Sequence, residues 1–159
     1  MRNDLVLVRG GGRLGTAVAH RLRLCGFPVI LTEASRPTMI HRRASFGAAI
    51  YETDMTVEDV PARRSSNFES LNQILEAGVI PVLVDPPALV RETASPWVLV
   101  DATGLDRNVG TRLTDAPIVV GLGAGFRPGV DVHAVVDSRD GNGLGRFIVE
   151  GSLGDAIPG

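Results

Sequence analysis

The chain has 159 residues and no lysine; all 16 of its basic residues are arginine. Schiff-base chemistry, a lysine-dependent phosphate loop and a Tyr-Lys catalytic pair are therefore excluded. Aromatic residues are scarce, with five Phe, one Trp and one Tyr, and the formal net charge is −2. A base-stacking platform in a basic groove needs the reverse of both, so nucleic-acid binding is disfavoured. The single cysteine, Cys25, excludes an internal disulfide framework and any multi-cysteine zinc site. His20, His41 and His133 show no metal-ligand spacing, either with one another or with Cys25. No apolar stretch approaches the ~18 residues of a membrane span, and the run Leu5–Val8 is too short for a signal peptide. The expectation is a soluble cytoplasmic domain without a membrane partner.

What is present fits one globular unit spanning residues 1–159. Hydrophobic residues make up 44% and charged residues 21%, close to the average for folded domains. The 19 glycines follow no triplet period and so mark turns and close approaches. Short apolar runs alternate with helical patterns. Leu5–Val8, Pro28–Glu33, Val79–Asp85, Pro96–Asp101 and Pro117–Gly121 read as strands. Arg13–Cys25 has apolar residues at helical spacing and stops at Gly26; Ser66-Asn-Phe-Glu69 reads as a capping box opening a second helix that stops at Gly78. A short helix is expected near Ser45–Tyr51 and a strand near Val60, with two closing strands, Val130–Asp137 and Arg146–Glu150, around an Asp140-Gly-Asn-Gly turn. Apolar strands separated by helices predict a mostly parallel sheet covered on both faces, a three-layer α/β/α domain.

Gly10-Gly-Gly12-Arg-Leu-Gly15 fits the pattern G-x-G-x-x-G between an apolar strand and an amphipathic helix. The next strand ends in Glu33, about 20 residues on, where the dinucleotide-binding fingerprint places its acid. Gly10 permits the tight turn, Gly12 lets backbone N–H groups approach a pyrophosphate, and Gly15 allows close packing of helix on strand. Gly11, Arg13 and Leu14 complete the loop, and the helix N-terminus adds unpaired donors. Glu33 suits a ribose 2′-hydroxyl and favours NAD over NADP, whereas Arg36, His41, Arg42 and Arg43 beyond it suit an extra phosphate or form a solvated face. These features define a Rossmann-like unit that either binds a nucleotide or retains the turn without one.

Further candidates lie at other strand ends. Asp101, after a fully apolar run, is expected at the crevice rim as a hydrogen-bond acceptor for ligand hydroxyls, or else as a turn former; Asp85, followed by two prolines, reads as a turn former. Gly121 and Gly123, in the loop Gly121-Leu-Gly-Ala-Gly125, either approach a second phosphate, stack under a flat ring or simply make a turn. Asp131 and His133, two apart on an expected strand, would share a face and form a proton-relay pair, or simply mark a half-exposed strand.

Several blocks, in order along almost the whole chain, carry a family resemblance. They are Val8-Arg-Gly-Gly-Gly12 with Ala19-His-Arg-Leu22 and Gly26-Phe-Pro-Val; Arg42-Arg-Ala-Ser-Phe46 with Ala49-Ile-Tyr-Glu52 and Thr56-Val-Glu58; and Pro81-Val-Leu-Val-Asp-Pro86. They continue as Asp101-Ala with Asn108 and Gly110-Thr111, Ala116-Pro117 running into Gly121-Leu-Gly, Gly129-Val-Asp-Val-His-Ala134, Leu144-Gly-Arg146 and Glu150-Gly-Ser152. The chain thereby resembles the selenium-dependent molybdenum-hydroxylase system accessory protein family. The resemblance implies a Rossmann-like N-terminal domain and a role in maturing molybdenum hydroxylases around cofactor insertion or modification, with no defined catalytic residues. The expected ligand is therefore NAD(P), on the glycine fingerprint, or a pterin or cytidine dinucleotide, on the resemblance, which also implies the hydroxylase or its maturation machinery as partner. Arg13 stands where the family usually has an acid, Asp106 where it has a base, and Gly141-Asn142 where it has Gly-His.

An autonomous dehydrogenase fits poorly. A nucleotide-binding unit of this kind consumes about 150 residues, and Tyr51, the sole tyrosine, has Met55 where a catalytic lysine belongs. An NAD(P)-dependent oxidoreductase would need a homodimer to complete its site, and a docking domain without ligand is the third reading.

Overall fold

The first apolar run forms strand β1 (Val6–Arg9), buried at every position as a strand covered on both faces must be. The computed structural model describes residues 4–38 and 41–151. Helix α1 (Arg13–Leu24) follows the glycine loop and lays Leu14, Val18, Ala19 and Leu22 against the sheet. It ends at Cys25, and Gly26 then takes the left-handed backbone (φ +91°) that lets the chain turn into strand β2 (Val29–Glu33). Two 3-10 turns, Arg42–Ala44 and Phe46–Ala48, lead into the single-turn helix α2 (Ala49–Glu52). Next come strands β3 (Asp54–Val57) and β4 (Val60–Ser65), helix α3 (Phe68–Glu76), strand β5 (Ile80–Val84) and the short helix α4 (Arg91–Ala94). Strands β6 (Val98–Asp101), β7 (Ile118–Leu122), β8 (Ala134–Val136) and β9 (Phe147–Ile148) complete the described chain.

The strands form one sheet in the order β3-β4-β5-β2-β1-β6-β7-β8-β9, and only β3 on β4 and β9 on β8 pair antiparallel. With the β3–β4 hairpin and β9 set aside, the order is that of the doubly wound dinucleotide-binding fold. One apolar layer, built on Val8, Leu31, Ala19 and Ile50, lies between the sheet and helices α1 and α2. The other, built on Leu7, Ile30, Leu71 and Ala88, lies under helices α3 and α4. The protein is thus a Rossmann-like α/β/α domain. Among the described residues, no helix is long and apolar enough to cross a membrane.

Several local expectations are corrected. Between the short helix and Val60, where no strand is expected, lies strand β3, whose hairpin turns through Glu58 (φ 44°) and Asp59 (φ 67°). Positive φ at both turn residues is normally signalled by Asn-Gly, and Glu-Asp carries no such signal. The cap of helix α3 is Asn67 rather than Ser66. Asn67 Oδ1 accepts from Ser70 N (2.8 Å) and Ser70 Oγ accepts from Asn67 N (3.2 Å), leaving Glu69 exposed. No helix separates β6 from β7 or β7 from β8; both connections are turns and loops. The expected strand Val130–Asp137 shortens to Ala134–Val136. Asp131 Oδ2 caps the Arg127 N–H (3.1 Å), while His133 Nδ1 accepts from Val119 N (2.9 Å) and extends the β7–β8 ladder. The two side chains are committed to different backbone groups and form no relay. Ser152, the last residue of the Glu-Gly-Ser block, lies outside the described residues.

Candidate nucleotide-binding cleft

The carboxyl ends of β1, β2, β5 and β6 surround a cleft of about 400 Å³. It sits where the strand order reverses between β1 and β6, the position at which open parallel sheets bind ligands. Arg9 and Gly10 line it from β1, Thr32 and Glu33 from β2, Arg36 and Pro37 from the following loop, Pro86 from beyond β5, and Thr103, Leu105 and Val109 from beyond β6.

The three motif glycines have different surroundings. Gly10 has φ +98°, and a Cβ there would lie 2.8 Å from the Ala102 carbonyl oxygen. A Cβ on Gly15 would overlap the Gly10 carbonyl oxygen, so a side chain there would push α1 off the loop. Gly12 has ordinary backbone angles and open space around its absent Cβ, and it faces the cleft. Gly11, buried, is wedged against Leu31 and Gly47 and donates its N–H to Glu33 Oε2 (2.7 Å). Glu33 Oε1 accepts from Ala34 N at the same distance. Each carboxylate oxygen retains acceptor capacity toward the cleft, while the paired backbone donors fix the acid against the glycine loop.

Helix α1 starts without side-chain assistance. Its N-cap is Gly12, no side chain accepts from its first N–H groups, and its first turn holds no acid. Arg13 occupies the first helical position and is exposed. A cation at the positive end of the helix dipole is unfavourable for the helix alone and favourable once an anion sits there. Leu14 packs into the core layer and serves the fold.

Asp101 is not at the rim: it is completely buried. Its Oδ1 accepts from Thr103 N (3.1 Å) and Thr103 Oγ1 (2.8 Å), and its Oδ2 from Arg9 Nη1 (3.2 Å) and Thr111 Oγ1 (2.5 Å). Four donors saturate the carboxylate, so it holds loops rather than ligand hydroxyls. Arg9, the last residue of β1 and not among the candidates the sequence offers, is the other half of this network. It is 6% exposed and also donates to Thr111 Oγ1 (2.8 Å), Pro86 O (2.8 Å) and Val109 O (3.1 Å). One guanidinium thus ties two cleft walls to the floor. The available signal was two opposite charges, each ending a buried run of strand length.

The remaining candidates lie away from the cleft. Arg42 stacks over the Tyr51 ring, 4.7 Å from its centroid. A Cβ on Gly121 would strike Phe126, and Gly123 (φ +99°) turns against Ser138, so these glycines serve packing and a turn. Asp85 accepts from Val90 N (2.8 Å) and closes the turn after β5, as a turn former should.

The chain is 38% identical over 159 residues to the Escherichia coli (strain K12) protein YqeB, itself uncharacterized; the match covers 99% of this chain and 29% of YqeB. The chain therefore spans less than a third of the length of the curated relative it matches. No family model and no solved structure matches the chain.

Proposed function

We propose that this domain binds a nucleotide or pterin dinucleotide in the cleft between the glycine loop, Glu33 and the loop after β6. The observation that carries the reading is the start of α1. An open Gly12 lines the cleft at the topological switch point, and directly after it α1 begins uncapped, with an exposed arginine at its first position. The bare N-terminus and the arginine are each unhelpful to the helix by themselves, and both become favourable with a phosphate in place. The blocks quoted above support a more specific role: an accessory domain in the maturation of a molybdenum hydroxylase, which holds the nucleotide part of the cofactor for a partner enzyme.

A thermal-shift panel with NAD(H), NADP(H), CTP, CDP, AMP and molybdopterin cytosine dinucleotide tests both levels. A ligand at 100 times its Kd stabilises by about 2.7 kcal/mol, several degrees for a domain of this size. A shift with the cytidine compounds alone supports cofactor handling. A shift with NAD(H) alone favours an oxidoreductase completed by a homodimer. No shift with any compound removes the nucleotide reading and leaves a docking domain. Gly12→Val is the matched control. Its backbone angles and open surroundings permit a side chain at a fold cost of at most ~1 kcal/mol, yet the branched carbons block phosphate approach. Binding by Gly12→Val equal to wild type would place the ligand elsewhere.

A further inference from the structure

We propose that Thr32 is the specificity-determining residue of this cleft, hydrogen-bonding the polar edge of a heterocyclic base whose phosphate lies at the start of α1. The inference rests on the nucleotide reading above and adds to it the part of the ligand being read and the atom that reads it.

Thr32 is 1% exposed, and its Oγ1 is the buried side-chain polar atom among the described residues that has no hydrogen-bond partner. A hydroxyl held out of water without a partner works against the fold, and such groups are rarely kept without cause. Its position gives the cause. Thr32 lies on the sheet row Leu83, Thr32, Arg9, Asp101, where aligned residues of β5, β2, β1 and β6 end. On that row Arg9 turns its guanidinium toward Asp101, Thr111, Pro86 and Val109. Leu83, on the other side, has no polar side-chain atom to offer. The polar groups on the Asp101 side of the row are all partnered, and the Thr32 hydroxyl, buried in the floor of the cleft that Gly12 also lines, is not.

The cleft walls specify the shape of the missing group. Pro37, Pro86, Leu105 and Val109 are apolar, and Leu105 and Val109 are 46% and 39% exposed although they line it. These four residues suit the faces of a flat ring whose polar edge meets the Thr32 hydroxyl, while Glu33 and Arg36, also in the lining, suit the sugar and charged parts of the same ligand. A ligand with an anion at one end and such a ring at the other is a nucleoside phosphate. Because a hydroxyl both donates and accepts, Thr32 accommodates either kind of ring edge.

Titration calorimetry of wild type, Thr32→Val and Thr32→Ser with AMP, CMP and ribose 5-phosphate separates the possibilities. Valine keeps the shape and deletes the hydroxyl; serine keeps the hydroxyl. The expected result is that Thr32→Val loses at least tenfold in affinity for AMP or CMP, whichever wild type binds more tightly. Thr32→Ser should stay within about threefold, and ribose 5-phosphate should bind all three proteins alike. Without ligand, Thr32→Val should melt at or above the wild-type temperature, because the orphaned hydroxyl is gone. Should valine fail to fold, Thr32→Ala supplies the same deletion without bulk. Equal nucleotide affinity in wild type and the hydroxyl-deleted variant overturns the proposal, and so does an equal loss of ribose 5-phosphate affinity. If wild type binds none of the three ligands, the nucleotide reading falls and takes this one with it. Gly12→Val, by contrast, should abolish binding of all three, so the two readings fail separately.

Discussion

Replacing Asp101 with asparagine keeps the volume of a fully buried side chain and removes the charge that balances Arg9. The ion pair is 3.2 Å long, with side-chain exposures of 7% and 0%. Breaking such a pair from one side costs about 3–5 kcal/mol, mostly because the surviving charge stays buried. Thr111 Oγ1, Pro86 O and Val109 O remain as acceptors for Arg9, so the low end, about 3 kcal/mol, is expected. At about 2–4 °C per kcal/mol for a chain of this size, Tm should fall by about 6–12 °C. Asp54 supplies an internal control. It pairs with Arg63 at 2.5 Å, shorter than the Arg9–Asp101 contact, but the two side chains are 62% and 53% exposed. Water and ions screen that pair, and Asp54→Asn should cost no more than about 1 kcal/mol. Urea unfolding followed by far-UV circular dichroism and by the fluorescence of Trp97, the sole tryptophan, measures both. An Asp101→Asn loss under ~1 kcal/mol, or an Asp54→Asn loss equal to it, would refute the argument that burial rather than distance sets the strength here.

Two further outcomes follow from the same geometry. Gly15→Ala should destabilise by about 1–3 kcal/mol in urea titrations, since its Cβ overlaps the Gly10 carbonyl oxygen; a neutral result would mean that α1 shifts freely on the loop. Asp137, its side chain 1% exposed after β8, is bonded by the Arg139 side chain and backbone and faces Arg146, and these hold its carboxyl down to about 2 from 3.8 against the opposing effect of burial. A depressed carboxylate stabilises the fold above its unfolded value and loses that contribution as pH falls through the folded one. The urea midpoints of wild type and Asp137→Asn should therefore differ at neutral pH and converge between pH 3.8 and about 2, and a gap independent of pH would contradict the assignment.

The parallel strands were legible because a strand covered on both faces is apolar along its buried length, and Leu5–Val8 or Ile80–Val82 satisfy that locally. The glycine loop was legible for a similar reason: Gly10 and Gly15 answer to contacts within their own strand–loop–helix unit and with Ala102. The hairpin at Glu58-Asp59 was not, since those residues are in left-handed backbone against their local preference. The character of Asp101 was hidden more deeply. Its local sequence says only that it ends a strand. Whether its carboxylate faces a ligand or a buried cation is decided by its register with Arg9, 92 residues away, and by the return of Thr111 beneath the loop. Buried polar rows are written across strands, and a reading along the chain does not see them.

That row also explains why Asp101 and Thr32, two buried polar residues flanking the same arginine, play opposite parts. Asp101 collects four donors and makes the wall after β6 rigid, so any ligand meets a cleft whose width is already fixed by Arg9 through Pro86 and Val109. Thr32 collects none. If the row existed only to stabilise the sheet, a valine at residue 32 would complete it at lower free energy, continuing the apolar pattern of Val29, Ile30 and Leu31 along β2. The sequence instead breaks the local pattern at the strand's last buried position, and the base contact proposed for Thr32 is the reason we assign to that break.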